Sequence, residues 1–149
     1  RQHIRYGKES KLSIKESKKV EVFIGLYSKI FDKTSNKIDN KIKERLSHLI
    51  NTLIGNKLAV MYECLDEDNN IKYIALFSIF KGKSIYLYGA PSENQSPFDG
   101  TFLLWESFKL LNSRHNIYEV DLEGVNSPQR GKYKLSFGGN LTSYYELVI

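Results

Sequence analysis

The sequence has few of the residues that mark several common classes of protein. Cys64 is its single cysteine in 149 residues, which leaves no internal disulfide and suits a reducing compartment. No apolar run approaches the roughly 18–20 residues that span a bilayer. The opening "RQHIRYGKES" has cations but lacks the apolar core of a signal peptide. These absences lead us to expect a cytoplasmic protein without a membrane span.

The common nucleotide-binding and hydrolase motifs are also missing. The sequence contains no P-loop, no dinucleotide-binding fingerprint and no Gly-x-Ser-x-Gly turn. Its three histidines, His3, His48 and His115, are far apart and have no metal-ligand spacing. We therefore expect no metal site and no required cofactor.

What is present fits one globular domain over residues 1–149. The hydrophobic content is 41%, the charged content is 26% and the net charge is +5. The positive charge is concentrated in the first third, where it suits either a phosphate-bearing partner or a solvated helix face. Because the chain begins with Arg1, it could also be a fragment, such as the second domain of a longer protein.

Hydrophobic periodicity predicts an α+β fold. In chain order it predicts a strand within 10–17, helices over 17–33 and 35–56, strands over 57–65, 71–80 and 84–90, a helix over 96–114, and strands over 117–125 and 141–149. The polar turns between the three middle strands predict an antiparallel meander. The helix over 96–114 allows a parallel crossover to the next strand, so the sheet is expected to be mixed. Ser96 and Pro97 are expected to be its N-cap and first helical residue.

This order of elements resembles the GNAT acyltransferase fold, and one stretch near the end sharpens the resemblance. "DLEGVNSPQRGKYKLSFGGN" runs from 121 to 140. It is similar to the C-terminal signature of the Fem-type branch, the peptidoglycan aminoacyl transferases. That signature has a strand ending in Asp, a glycine, an aromatic-Lys pair and Phe-Gly. Here these are Asp121, Gly124, Tyr133-Lys134 and Phe137-Gly138.

The resemblance implies an acyltransferase that moves an acyl or aminoacyl group onto an amine of a cell-envelope precursor or another small molecule. The donor would be aminoacyl-tRNA or acyl-CoA, and a second GNAT domain or a homodimer partner would fit the family. Asp121 would be catalytic, and the backbone near Tyr88 and Gly89 would bind the oxyanion. The further candidates for substrate binding are Asn126, Arg130, Lys134, Phe137 and Gly138.

One departure from the acetyl-CoA-dependent pattern weighs against that donor. The loop "GAPSENQSPFDGTF" lacks the usual glycine-rich spacing, since Gln95 and Gly100 are too far apart. Pro97 has no N–H to offer, and Asp99 adds negative charge where a pyrophosphate would lie. We expect weak binding of coenzyme A. Acetyl-CoA-dependent N-acetylation and a non-catalytic binding domain both remain open as alternatives.

Overall fold

A computed structural model describes residues 1–31, 37–125 and 127–143. The helices are α1 (Gln2–Glu9), α2 (Val20–Phe31), α3 (Asn40–Gly55), α4 (Asp99–His115) and α5 (Pro128–Leu135). The strands are β1 (Ser13–Ser17), β2 (Ala59–Leu65), β3 (Ile71–Ser78), β4 (Lys83–Pro91) and β5 (Glu119–Asp121). The predicted α+β class is confirmed.

The five strands form one sheet in the order β1-β2-β3-β4-β5. The first four pair antiparallel, and β5 lies parallel to β4. The predicted meander and the parallel crossover through α4 are therefore both confirmed. The direction follows from the connection, because a helix of 17 residues carries the chain back to the starting end of the sheet.

The sheet separates two hydrophobic cores. On one face, α4 packs over Tyr62, Phe77 and neighbouring side chains, with α1 lying against α4. On the other face, α2 and α3 cover Met61 and Leu76. Alternate strand residues face opposite cores, as the two-residue period of a strand requires.

Three predictions about local structure were wrong. Helix α1 was not expected. Residues 128–135 are helical rather than extended, because Ser127 accepts a hydrogen bond from Arg130 N–H as an N-cap and Pro128 starts the helix. Helix α4 begins at Asp99, with Phe98 and not Ser96 in the N-cap position. Most of the strand predicted over 141–149 lies outside the described residues.

None of the described helices is long and apolar enough to cross a membrane.

Candidate functional site

Strands β4 and β5 part after three paired residues. Lys83 to Ile85 pair with Glu119 to Asp121, and β5 ends there while β4 continues along β3 to Pro91. Phe77 pairs with Tyr86 and Leu76 with Tyr88, so Leu87 is the extra residue of a β-bulge. The parting leaves one edge of β4 without β5 beside it. Backbone N–H and C=O groups at such an edge can bind an extended ligand.

The N-terminus of α4 follows directly from the end of β4. Asp99 is only 1% exposed there. Its Oδ2 accepts a hydrogen bond at 2.6 Å from the N–H of Ser96, which lies three residues before it in the loop. Its Oδ1 has no hydrogen-bond partner among the described residues. Burial raises the pKa of this carboxyl group above its usual range. The helix end that could attract an anion therefore already holds a carboxylate of its own.

Two tyrosines fill the space between β4 and α4. The hydroxyl groups of Tyr73 and Tyr86 are hydrogen-bonded to each other, and burial raises the pKa of both phenols. A Cβ atom on Gly89 would overlap the Tyr86 hydroxyl and lie 2.8 Å from the Tyr73 hydroxyl. A Cβ atom on Gly100 would lie 3.0 Å from the Tyr73 ring. Both glycines thus leave room for the tyrosines.

Helix α5 closes another side of the same region. Tyr133 is hydrogen-bonded to Thr101 in the first turn of α4, and burial raises the pKa of this phenol. Thr101 Oγ1 also lies 3.3 Å from His3 Nδ1 of α1. The ring of Phe137 packs edge-on against Tyr133 and Phe108. Helices α1, α4 and α5 therefore meet at Thr101, beside the tyrosine pair.

Lys134 and Asp121, two of the residues predicted from sequence, share one neighbourhood. Lys134 Nζ donates to the Gly124 carbonyl at 2.8 Å, and Asp121 Oδ1 accepts from Glu123 N–H at 2.7 Å. Burial lowers the pKa of Lys134, and nearby Arg130 lowers it further, whereas Glu123 and Asp121 raise it. The roles assigned to Asp121 and Lys134 stay predictions.

The structure changes how these cations were expected to be oriented. We expected an extended segment in which Tyr133 and Leu135 face inward and Lys134 faces the cleft. In a helix, residues four apart share a face instead, so Arg130 and Lys134 lie together. Both residues that were expected to face inward are partly open to solvent, since Tyr133 is 39% exposed and Leu135 is 41% exposed.

The other predicted residues lie in several places. Tyr88 faces α2, where its ring meets that of Tyr27 edge-on at 5.2 Å. Gly89 lies in β4 against the tyrosine pair. Gly138, with φ +85°, follows α5, and no described residue beyond its chain neighbours would lie within 4 Å of a Cβ atom there. Asn126 lies outside the described residues.

No protein-family model and no curated protein matches the chain. Several solved structures do match, and the three described next each align with 93% of this chain. A predicted acetyltransferase from Clostridium acetobutylicum with acetyl-CoA has TM-score 0.70, 14% identity and 96% of its own chain covered. An acetyltransferase from Trypanosoma brucei has TM-score 0.64, 10% identity and 99% coverage. A ribosomal-protein-alanine N-acetyltransferase from Brucella melitensis has TM-score 0.63, 10% identity and 97% coverage.

The chain has the GNAT acyltransferase fold. The predicted fold is confirmed by these neighbours. They do not support the finer assignment to the Fem-type branch. In the GNAT fold of this chain, the parting of β4 from β5, the bulge at Leu87 and the first turn of α4 lie next to one another.

Sequence reasoning missed the hydroxyl groups that line this region. Tyr73, Tyr86 and Tyr133 looked like ordinary core or strand residues. The available signal was the pair Gly89 and Gly100, at the end of a strand and the start of a helix, where a side chain would be expected. The part of the chain that is described has no group of three or more His, Cys, Asp or Glu side chains able to hold a metal ion.

A first prediction concerns Lys134. We predict that Lys134 contacts a phosphate- or carboxylate-bearing partner. With acetyl-CoA as the anionic probe, Lys134→Ala should bind about ten-fold more weakly than wild type, at the low end for a hydrogen bond to a charged group, because Lys134 is only partly buried. Isothermal titration calorimetry would measure this. Lys132→Ala, on the exposed side of the same helix, is the matched control and should bind normally. Equal affinity in both variants would remove Lys134 from the site.

Proposed function

We propose that this protein is an N-acyltransferase that moves an acetyl group from acetyl-CoA to a primary amine. The observation that carries the proposal is the parting of β4 from β5 beside the first turn of α4. It is supported by a fold shared with a Clostridium acetobutylicum protein solved with acetyl-CoA. The thioester would lie along the unpaired edge of β4.

The reaction requires a neutral amine to attack the thioester carbonyl carbon. A C–N bond forms, and the C–S bond then breaks with its electron pair going to sulfur. The nitrogen loses a proton and the thiolate gains one, so amide and thiol are released. Backbone N–H groups near Tyr88 and Gly89 are our candidates to stabilise the oxyanion. Asp121, at the end of β5, is our candidate to accept the proton from the amine.

Two phenols are available to hydrogen-bond the developing thiolate. Phenols are ordinarily protonated at neutral pH, and burial raises the pKa of Tyr86 and of Tyr133 further. Both lie close to the start of the unpaired edge. A raised pKa makes each phenol a weaker acid. Its hydroxyl would therefore stabilise the developing thiolate charge by a hydrogen bond rather than by giving up its proton.

There are two alternatives to this proposal, a different donor and acceptor or a domain that does not catalyse. The motif over 118–140 supports a cell-envelope amine as acceptor and aminoacyl-tRNA as donor, but only through sequence resemblance. A non-catalytic binding domain is favoured by one specific observation, the buried carboxylate of Asp99 at the N-terminus of α4. Acetyl-CoA would then bind weakly or not at all, as the loop sequence predicts.

The direct test is turnover. Release of free thiol from acetyl-CoA should depend on an added amine and should be accompanied by acetylation of that amine, detected by mass spectrometry. The panel should contain amino acids, polyamines, amino sugars and N-terminal peptides. Thiol release without any acetylated product would indicate hydrolysis, and no release with any amine would support the binding domain.

Charge on α3 is expected to have no part in turnover. Lys41 and Arg45 lie on the exposed surface of this helix, away from the β4–β5 edge. Reversal of both charges, Lys41→Glu with Arg45→Glu, should leave the kcat/KM of a small acceptor unchanged. A large loss would place the acceptor site at α3 and contradict the location proposed here.

A further inference from the structure

The tyrosine pair forms a wall at the start of the unpaired β4 edge. Tyr86 is the residue of β4 that follows Ile85, the last one paired with β5. Its hydroxyl overlaps the place of a Cβ atom on Gly89, so position 89 of the strand has no room for a side chain. Tyr73 extends the wall to Gly100 in the first turn of α4.

Packing holds this wall in place. The centroids of the Tyr86 and Phe77 rings are 5.5 Å apart. The Tyr86 hydroxyl is hydrogen-bonded to the Tyr73 hydroxyl. Moving either ring would break that hydrogen bond inside the core and open a void. On the opposite face of β4, the rings of Tyr88 and Tyr27 are in edge contact. Space beside Gly89 is therefore restricted on both faces of the strand.

We propose that Tyr86, positioned by Tyr73, limits the acyl group of the donor to two carbons. This inference rests on the proposed function, because it requires a thioester bound at the β4 edge near Gly89. An acetyl methyl group would lie against the Tyr86 hydroxyl, and each additional methylene would overlap it. Tyr86 is thus the residue that determines acyl-chain specificity.

Acetyl-, propionyl- and butyryl-CoA would test the limit in binding and in turnover. A pocket that rejects one methylene discriminates by about 10- to 200-fold, and we expect wild type to lose at least about ten-fold at each step. Tyr86→Phe removes the hydroxyl and should bring propionyl-CoA to within a few-fold of acetyl-CoA. Tyr86→Leu should extend this gain to butyryl-CoA. Tyr62→Phe, which alters a buried phenol of β2 on the same face, is the control and should keep the wild-type preference.

A stability measurement tests the geometry without any ligand. Gly89→Ala should lower the melting temperature of wild type, because its new methyl group overlaps the Tyr86 hydroxyl. The same substitution in Tyr86→Phe should cost measurably less, since the most severe overlap is removed and the Tyr73 hydroxyl at 2.8 Å and ring at 3.0 Å remain. If Gly89→Ala lowers the melting temperature equally in wild type and in Tyr86→Phe, the Tyr86 hydroxyl does not lie beside Gly89 as described.

The outcomes separate this inference from the proposed function. If wild type binds and transfers butyryl as well as acetyl, the size limit is wrong and the acyltransferase proposal stands. If folded Tyr86→Phe and Tyr86→Leu both keep the wild-type preference, Tyr86 does not set it. If no acyl-CoA binds or reacts, the proposed function and this inference are both overturned.

Discussion

Asp99→Asn is expected to tighten acetyl-CoA binding about ten-fold at neutral pH, a change of about 1.4 kcal/mol. In wild type, a carboxylate lies at the N-terminus of α4, where an anionic pyrophosphate would compete with it for the helix dipole. Asparagine has nearly the same shape and keeps an oxygen that can accept the Ser96 N–H. The substitution therefore removes charge while preserving the cap.

The pH dependence gives this prediction a second readout. Burial raises the pKa of Asp99 in the folded protein, so its carboxylate is neutralised at a higher pH than an exposed one. Affinity of wild type for acetyl-CoA should then rise as the pH falls through that raised pKa. Asp99→Asn should lack this component, and calorimetry of both proteins across the range isolates it from titration of the ligand's phosphates.

The raised pKa of Asp99 also makes the stability of the fold depend on pH. A folded-state pKa raised above the unfolded value means that the folded state binds the proton more tightly. The carboxylate form is therefore destabilising at pH values above the folded pKa, and stability is gained as the pH falls from there towards the unfolded pKa.

An affinity and a pH profile identical in wild type and Asp99→Asn would show that Asp99 does not affect the donor.

The second large effect is expected where α1 packs on α4. Gly7→Ala should destabilise the protein, because its Cβ atom would overlap the Phe102 ring and lie 2.8 Å from Phe102 Cβ, which cannot rotate away. Overpacking of this kind costs about 1–3 kcal/mol. This exceeds the roughly 0.5–1 kcal/mol that alanine gains over glycine in a helix.

Gly25→Ala in α2 is the matched control. Among the described residues, no atom outside the adjacent backbone of α2 lies within 4 Å of a Cβ atom at Gly25, so only the helix-propensity gain of about 0.5–1 kcal/mol remains. The same substitution should therefore lower the melting temperature at Gly7 and raise it at Gly25, by about 2–4 °C per kcal/mol. A stabilised Gly7→Ala protein would mean that α1 does not pack as described.

The sheet could be predicted from sequence because its signals are local and hydrophobic. Polar turns separated β2, β3 and β4, and the wide apolar stripe of α4 required a sheet to cover. Helix α3 was equally clear from an apolar stripe. The predicted stripe was Ile38, Ile42, Leu46, Leu49 and Leu53, with Ile50 and Ile54 beside it. The structure leaves Ile42 and Leu49 exposed and buries Ile50.

The two unpredicted helices lack that signal. Helix α1 docks through Gly7, and a close contact made by a glycine leaves no hydrophobic pattern in the sequence. Helix α5 contains Gly131, which disfavours a helix by about 1 kcal/mol in isolation, but whose lack of a side chain lets the helix approach Val125. Tertiary packing therefore determines that the α1 and α5 segments are helical.

The candidate site was predicted only in part for a similar reason. A motif could point to Asp121 and Lys134 because both lie in one continuous stretch of sequence, 121–140. The tyrosine wall combines Tyr73 of β3 with Tyr86 of β4, and Tyr133 of α5 lies near it. Only the folded chain brings these three residues together.

The central claim is that the thioester of acetyl-CoA binds along β4 where β5 leaves it. Titration of ¹⁵N-labelled protein with acetyl-CoA, followed by amide chemical shifts, tests this without knowledge of the acceptor. We predict saturable shifts for the amides of Tyr88, Gly89 and the first turn of α4 at Gly100 and Thr101. Absence of shifts there, or shifts confined to the groove between α2 and α3, would contradict the claim.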